Sequence, residues 1–343
     1  MEKVYIVAEI GCNHNGDFDL AKKLVKAAKE CGVDAVKFQT FNASLLISKN
    51  AEKAEYQKNN TDSKESQLDM VKKMELSHEE YINLKQYAQS LGLIVFSTAF
   101  DFESIEFLEK DGQNIWKIPS GEITNLPYLE KIGDIKVRDK LIVLSTGMST
   151  IEEIKRAVEV LQSKQNNKII ILHCNTEYPT PDCDVNISAI NDLKLNFPNY
   201  EVGFSDHSLG DIGAIMAVAY GATFIEKHFT LDKNLPGPDH KASATPEELK
   251  KLVENVRRAE LIYGTGYKEV TKSEMKNKKI ARKSIVAKTD IKKGETFTVE
   301  NLICKRPGNG ISPMEWYNII GQKSESDFKE DELIKHSNFK WQE

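Results

Sequence analysis

Short apolar runs alternate with longer amphipathic stretches from the start of this chain. A strand-like run followed by a helix-like stretch, repeated, marks an α/β fold built on a parallel sheet. The runs fall at residues 4–8, 35–38, 94–97, 115–118, 141–144, 169–173, 202–204 and 222–225, which predicts eight strands. Helical stretches lie between them. Residues 18–31 put Leu20, Leu24, Val25 and Ala28 on one face, and residues 151–162 open at Ser149 or Thr150 with Glu152 and Glu153 in the first turn. A further helix over residues 246–263 follows the last strand, with Thr245 as N-cap and a proline at its first position. Eight strand and helix repeats in about 260 residues predict a (β/α)8 TIM barrel. A doubly wound open sheet is the competing fold, but no GxGxxG follows the first run.

Two stretches break the pattern. Residues 42–78 form a long insertion after the second strand, rich in Lys, Asn, Glu and Ser, with one short helix predicted over 65–73. A loop of this length inside a compact domain is usually a functional cover. Residues 264–281 are polar and basic without apolar periodicity, which reads as a linker. Beyond it, residues 282–343 carry short β-rich runs separated by Lys-Lys-Gly and Pro-Gly-Asn-Gly turns. That predicts a small, mostly β second domain after a barrel domain over residues 1–263.

Composition narrows the function classes. The chain has 343 residues with a formal net charge of -5, and its lysines are spread along helical stretches, so it carries no footprint for nucleic acid. No apolar run approaches the ~20 residues that cross a bilayer. The first apolar segment is interrupted by Glu9 and is too short for a signal peptide. Five cysteines without CxxC spacing (Cys12, Cys31, Cys174, Cys183, Cys304) point to free thiols in a reducing cytoplasm. Cys174, after a predicted strand, reads as a small core or rim residue rather than a nucleophile.

The chemistry sits where the strands end, the reactive face of such a barrel. His207 lies just past the seventh run and His228 closes the eighth. If those strands are parallel neighbours about 4.8 Å apart, the two imidazoles are close enough to share a metal ion. The plain alternative is a pair of structural histidines. Two nitrogens completed by oxygens suit manganese or a similar labile divalent ion better than zinc, which usually takes three protein ligands. The other strand ends supply Glu9; Lys37 and Gln39; Thr98; Lys117, Ser120 and Glu122; Ser145; Asn175, Thr176 and Tyr178; and Ser205. Helix capping accounts for single Ser, Thr or Asn residues, but buried charges such as Lys37, Lys117 and Glu9 need partners. The lysines, serines and helix-start N–H groups would hold a small phosphorylated anion. Strand alternation turns Lys227 away from Glu226 and His228. No GxSxG elbow, P-loop or HExxH is present.

On these residues the chain resembles the sialic acid synthase family. The segments that carry the likeness are VAEIGCNHNG, VKFQTF, KIPSGEITNLPYLEKI, LSTGM, LHCNTEYPTP, GFSDHS, IEKHFTLDKNLPGPDH and KRPGNGISPMEWY, spread over the whole length. The resemblance implies a TIM barrel followed by an antifreeze-like SAF (β-clip) domain that is swapped across a homodimer, so that Arg306 reaches the partner's sugar. It implies condensation of phosphoenolpyruvate with N-acetylmannosamine and water to give N-acetylneuraminate and phosphate. A divalent metal, Mn2+ with Mg2+ or Co2+ as substitutes, would rest on His207 and His228 and hold the sugar aldehyde. Lys37, Thr98, Lys117, Ser120, Ser145 and Ser205 match the family's phosphoenolpyruvate positions, with Asn175 or Thr176 adding an amide or hydroxyl. Glu9, Gln39, Tyr178 and Asp239 match positions facing the sugar. Glu122 is the expected base, Glu9 the holder of sugar hydroxyls, and Glu226 a second carboxylate that could orient a metal ligand. Ala99 departs from the family pattern, giving STAF where STPF is usual. Three rival readings stay open: a synthase using a 6-deoxy diacetamido sugar to make N,N'-diacetyllegionaminate, a Schiff-base pyruvate lyase, and a non-catalytic binder.

Overall fold

The eight apolar runs pair as parallel strands: β1 (Tyr5–Gly11), β2 (Ala35–Thr40), β3 (Ile94–Ala99), β4 (Ile115–Ile118), β5 (Leu141–Ser145), β6 (Lys168–Cys174), β7 (Glu201–Asp206) and β8 (Phe224–His228). They are seen in a computed structural model that describes residues 3–62 and 64–335. The hydrogen-bonded order runs β3-β2-β1-β8-β7-β6-β5-β4, so the sheet wraps round to bring its two ends together as a TIM barrel. β3 and β4 form the seam. There the Gln113 carboxamide stands in for a backbone partner, accepting from Ser97 N at 2.7 Å and donating to Ser97 O at 2.9 Å. The Tyr128 hydroxyl adds a bond to Ala99 O at 2.7 Å from the following helix.

Inside the barrel a small apolar layer of Val7, Phe96, Val143, Leu172 and Phe224 fills the floor, with Tyr5 stacked on Phe224 at 5.5 Å between ring centres. Gly203 is required here, because a Cβ would stand 2.6 Å from both Leu172 Cδ2 and Phe224 O. The larger core lies between strands and helices. Helix Phe18–Cys31 is capped by Asp17, which accepts from Leu20 N at 2.9 Å, and buries Ala21, Leu24, Val25 and Ala28. The last barrel helix, Pro246–Tyr263, starts with a capping box of Thr245 and Glu248 and packs beside that first helix.

The insertion holds three short helices, Ala43–Leu46, Glu55–Asn60 and Gln67–Lys72, where the sequence predicts one. Four to six residues are too short to show an amphipathic period. The insertion is tied together internally by buried Lys53, whose Nζ reaches Thr61 Oγ1 at 3.0 Å, Asp62 O at 2.8 Å and Glu65 Oε2 at 3.7 Å. The stretch expected as a linker also differs: Lys272–Ala281 is a helix with a capping box of Thr271 and Glu274 and no buried face. With no apolar stripe there was no period to read, and the Thr-x-x-Glu spacing was its one signal.

The chain divides into two compact units at Thr265 and Gly266. The second carries an antiparallel pair, β9 (Ser284–Ala287) and β10 (Leu302–Lys305), over a core of Ile285, Ile291, Phe297, Leu302 and Phe328. Residues 336–343, the end of the expected second domain, lie outside the described residues. No described helix is long and apolar enough to cross a membrane.

Candidate active site

Strand register sets the layer in which the chemistry collects. Glu9 on β1 lies level with Lys37 on β2 and His228 on β8, and Ser205 on β7 lies level with Glu226 on β8. Just beyond Glu9 the β1–β2 register shifts, and the chain turns through Gly11 with φ +47°. A Cβ at Gly11 would sit 2.5 Å from Glu9 Oε1, so glycine both permits the turn and leaves the carboxylate its space.

These groups open into a cavity of about 400 Å³ at the carboxyl ends of the strands. Lys37, Thr98, Lys117, Ser120, Ser145 and Ser205 line it, as do Glu9, Gln39, Thr176, Tyr178, Asp239 and the two histidines. Its charged centre is Glu226. The Oε1 atom of Glu226 receives Lys117 Nζ at 2.9 Å, Ser205 Oγ at 3.1 Å and Lys37 Nζ at 3.5 Å. Lys37 also meets Glu9 Oε2 at 2.8 Å and Thr98 Oγ1 at 3.3 Å, and Gln39 Nε2 donates to Glu9 Oε1 at 3.0 Å.

Burial works against every charge here, and the partners decide the outcome. For Glu226, burial is outweighed by Lys117 and Lys37, which hold the carboxyl well below its usual range. For Lys37, burial is outweighed by Glu226 and Glu9, and the ammonium is held above its usual value. Lys117, where burial wins over Glu226, is held below. Burial also raises Glu9, against the pull of Lys37. Two buried polar atoms on this wall, Ser145 Oγ and Glu226 Oε2, have no hydrogen-bond partner in the protein. Unsatisfied atoms in a cavity are what a ligand would complete.

Beside this cluster stand the imidazoles, with His207 Nε2 3.4 Å from Ser205 Oγ. His207 and His228 have ring centres 5.2 Å apart at 70°. The Nδ1 of His207 is tied to the Asn175 carbonyl, which fixes the tautomer and leaves Nε2 as the lone-pair nitrogen. The Nδ1 of His228 lies 3.5 Å from Asp239 Oδ2. Burial lowers both histidines, His207 to about 4, so both rings are neutral as metal ligands must be. Among the described residues no group of three or more His, Cys, Asp or Glu side chains is arranged to hold an ion. An ion held between the two rings would have two protein nitrogens, with its other positions open to water or substrate. Tyr178 packs against His207 with ring centres 4.2 Å apart and tilted by 32°, and Tyr56 of the insertion packs against Tyr178 at 5.2 Å with the same tilt. Helix Glu55–Asn60 is thereby seated over the histidine side.

Two expected site residues of the barrel lie outside the cavity lining. Glu122, on the turn Ser120–Glu122, receives Asn125 Nδ2 at 2.6 Å and stands at the rim, outside the cavity lining. The Asn175 side chain bonds within its own loop, to Glu177 N at 2.8 Å, and it is the backbone carbonyl that serves His207. Arg306 belongs to the second unit, with Nε on the Ala281 carbonyl at 3.1 Å. Lys227 points away from the cavity, as alternation requires, and pairs with Asp206 at 2.8 Å. The sequence reading gave Glu226 only a minor part and missed Tyr56. Alternation with His228 was a usable signal for the first; nothing in an aperiodic insertion marked the second.

Comparison with known proteins adds an independent line. Residues 24–268 match the NeuB family and residues 282–340 match the SAF domain. The N,N'-diacetyllegionaminic acid synthase of Campylobacter jejuni is 50% identical over 98% of this chain and 100% of its own length. The protein of that name from Legionella pneumophila is 46% identical over 93% of this chain and 90% of its own. Among solved structures, an N-acetylneuraminic acid (sialic acid) synthetase from Leptospira borgpetersenii, in complex with citrate, superposes with a TM-score of 0.72. It is 35% identical, covering 80% of this chain and 90% of that one.

Proposed function

Because the chain belongs to the NeuB family and carries a SAF domain, we propose that it condenses phosphoenolpyruvate with the open-chain aldehyde of an N-acetylated amino sugar, adds water and releases phosphate. One observation carries the reading: a single cavity holds the Lys37, Lys117 and Glu226 cluster and, beside it, the His207 and His228 pair, with the Ser205 hydroxyl between Glu226 and His207.

Lys37 and Lys117, with the hydroxyls of Thr98, Ser120, Ser145 and Ser205, receive the phosphate and carboxylate of phosphoenolpyruvate. His207 and His228 would hold the divalent ion, Mn2+ before Mg2+ or Co2+, which when bound supplies Lewis acidity at the aldehyde oxygen. Tyr178, Gln39, Asp239 and Glu9 are left to position the sugar. The methylene carbon of phosphoenolpyruvate bonds to the aldehyde carbon, whose oxygen takes up a proton to become a hydroxyl. Water adds to the former enol carbon and gives up a proton, and phosphate leaves with cleavage of the C–O bond. Glu9 lines the cavity and Glu122 does not, which makes Glu9 the better placed proton acceptor.

N-acetylmannosamine, the sugar expected from the sequence, meets these requirements. The diacetamido sugar is favoured by a different observation, the 50% and 46% identity to proteins named for diacetyllegionaminic acid. The partner's Arg306 would complete the sugar site in a swapped homodimer, and the five free cysteines support a reducing, cytoplasmic setting. The test is phosphate release from phosphoenolpyruvate with each sugar and Mn2+. A borohydride-stable adduct with pyruvate would instead support the Schiff-base reading.

A further inference from the structure

Cys174 closes β6 on the strand face that sends Ile170 and Leu172 into the barrel floor. The inward face of the strand therefore ends in a buried thiol. Its sulfur lies 3.2 Å from Ser120 Oγ, on the turn after β4, and the same oxygen accepts from Gly147 N, just past β5, at 2.9 Å. Three consecutive strand ends meet at one hydroxyl. Gly147 permits the approach, because a Cβ there would stand 2.7 Å from Thr176 Cγ2, 2.9 Å from Ser120 Oγ and 3.2 Å from Cys174 Sγ.

A hydroxyl offers one proton and two lone pairs. The Gly147 N–H takes one lone pair of Ser120. A thiol can fill either remaining role, as a weak acceptor of the Ser120 proton or as a weak donor to its second lone pair. Before an anion binds, the proton rests on sulfur, and no buried donor is left unmet. Ser120 lines the cavity, and an anionic oxygen arriving there is a much stronger acceptor than sulfur. The Ser120 proton turns to the anion and the thiol proton turns to the lone pair that is then free. Ser120 stays fully bonded in both states, and its oxygen does not have to move.

We propose that Cys174 is a positioning residue for phosphoenolpyruvate: with the Gly147 N–H it fixes Ser120 Oγ and lets the Ser120 proton pass to an oxygen of the bound anion. The thiol touches no substrate and forms no covalent bond. The inference rests on the condensation reading, in which Ser120 receives phosphoenolpyruvate, and adds the groups that hold that serine ready.

The experiment compares wild type with Cys174→Ala, Cys174→Ser, Ser120→Ala and the double variant Cys174→Ala with Ser120→Ala, each shown folded by circular dichroism. Phosphoenolpyruvate binding to the full-length protein with Mn2+ is measured by calorimetry. Phosphate release is followed with N-acetylmannosamine or the diacetamido sugar, whichever turns over faster. Cys174→Ala should weaken phosphoenolpyruvate binding and raise its KM by roughly 3- to 10-fold, the size of one neutral hydrogen bond, with KM for the sugar unchanged and kcat within about twofold. Cys174→Ser, which keeps a donor and an acceptor at that point, should fall between wild type and Cys174→Ala. The double variant should bind no more weakly than Ser120→Ala alone, because the thiol acts only through the serine. Unchanged binding in Cys174→Ala, or losses that multiply in the double variant, would overturn the positioning role and leave the condensation reading standing. Absence of phosphate release by the wild type with either sugar would overturn the condensation reading, and the calorimetric comparison would still decide the role of the thiol.

Discussion

Lys117 and Glu226 meet across the barrel mouth, Nζ to Oε1 at 2.9 Å, from strands β4 and β8 that lie on opposite sides of the closed sheet. With Lys37 of β2 on the same oxygen at 3.5 Å, one carboxylate holds two cations in place.

Removing that carboxylate leaves two buried ammonium groups facing each other. Glu226→Ala is expected to lower stability by about 3–5 kcal/mol, the usual result of breaking a buried pair from one side. Chemical denaturation reads the loss. Glu226→Gln keeps the shape and should unfold at higher denaturant than Glu226→Ala, yet still bind phosphoenolpyruvate abnormally.

The two candidate bases separate by substitution. Glu9 is buried in the cavity wall and Glu122 sits at the rim on Asn125. Glu9→Gln should reduce kcat by about 100-fold or more, within the range for loss of a positioned proton acceptor, and Glu122→Gln by clearly less. The reverse order would return the role to Glu122.

Acid lability has a definite source outside the cavity. His14 is 1% exposed, accepts from Gly16 N at 3.0 Å, and burial lowers it from 6.5 to about 4, partly against Glu80. Its folded pKa is depressed, so the unfolded chain binds the extra proton. The neutral ring's contribution is complete above pH 6.5 and is lost as pH falls towards 4, on the order of 3 kcal/mol in all. His14→Gln should flatten stability against pH across that window, as followed by thermal melts at each pH.

Lys53 ties the insertion together by joining Thr61, Asp62 and Glu65, and its loss should act on the sugar alone. Lys53→Met is expected to raise KM for the sugar several-fold with KM for phosphoenolpyruvate nearly unchanged, because Tyr56 and Met70 move with the insertion while Lys37 and Lys117 belong to the barrel. Steady-state kinetics with each substrate varied in turn will show the split.

Much of this arrangement was legible in the chain. Short continuous apolar runs and capped helices gave the barrel, and strand ends gave Lys37, Lys117, Ser205, His207 and His228, because a parallel barrel brings all those ends to one face. What escaped has a common cause. The partner of both lysines is Glu226, and pairing across a barrel depends on register, which a single strand does not display. The insertion's Tyr56 and Met70 stand on helices of six residues each, too short to print a pattern. Glu122 was expected in the cavity by neighbourhood to Ser120, yet the tight turn Ser120–Glu122 sends the serine inward and the carboxylate to the rim.

The most direct test concerns the facing imidazoles. His207→Ala and His228→Ala proteins, shown folded by circular dichroism, are assayed for phosphate release from phosphoenolpyruvate with the preferred sugar across a Mn2+ titration. The account predicts that turnover falls by at least about 100-fold in both, as for other losses of a group acting on the transition state, and that added metal does not restore it. Near-normal turnover in either variant would contradict it.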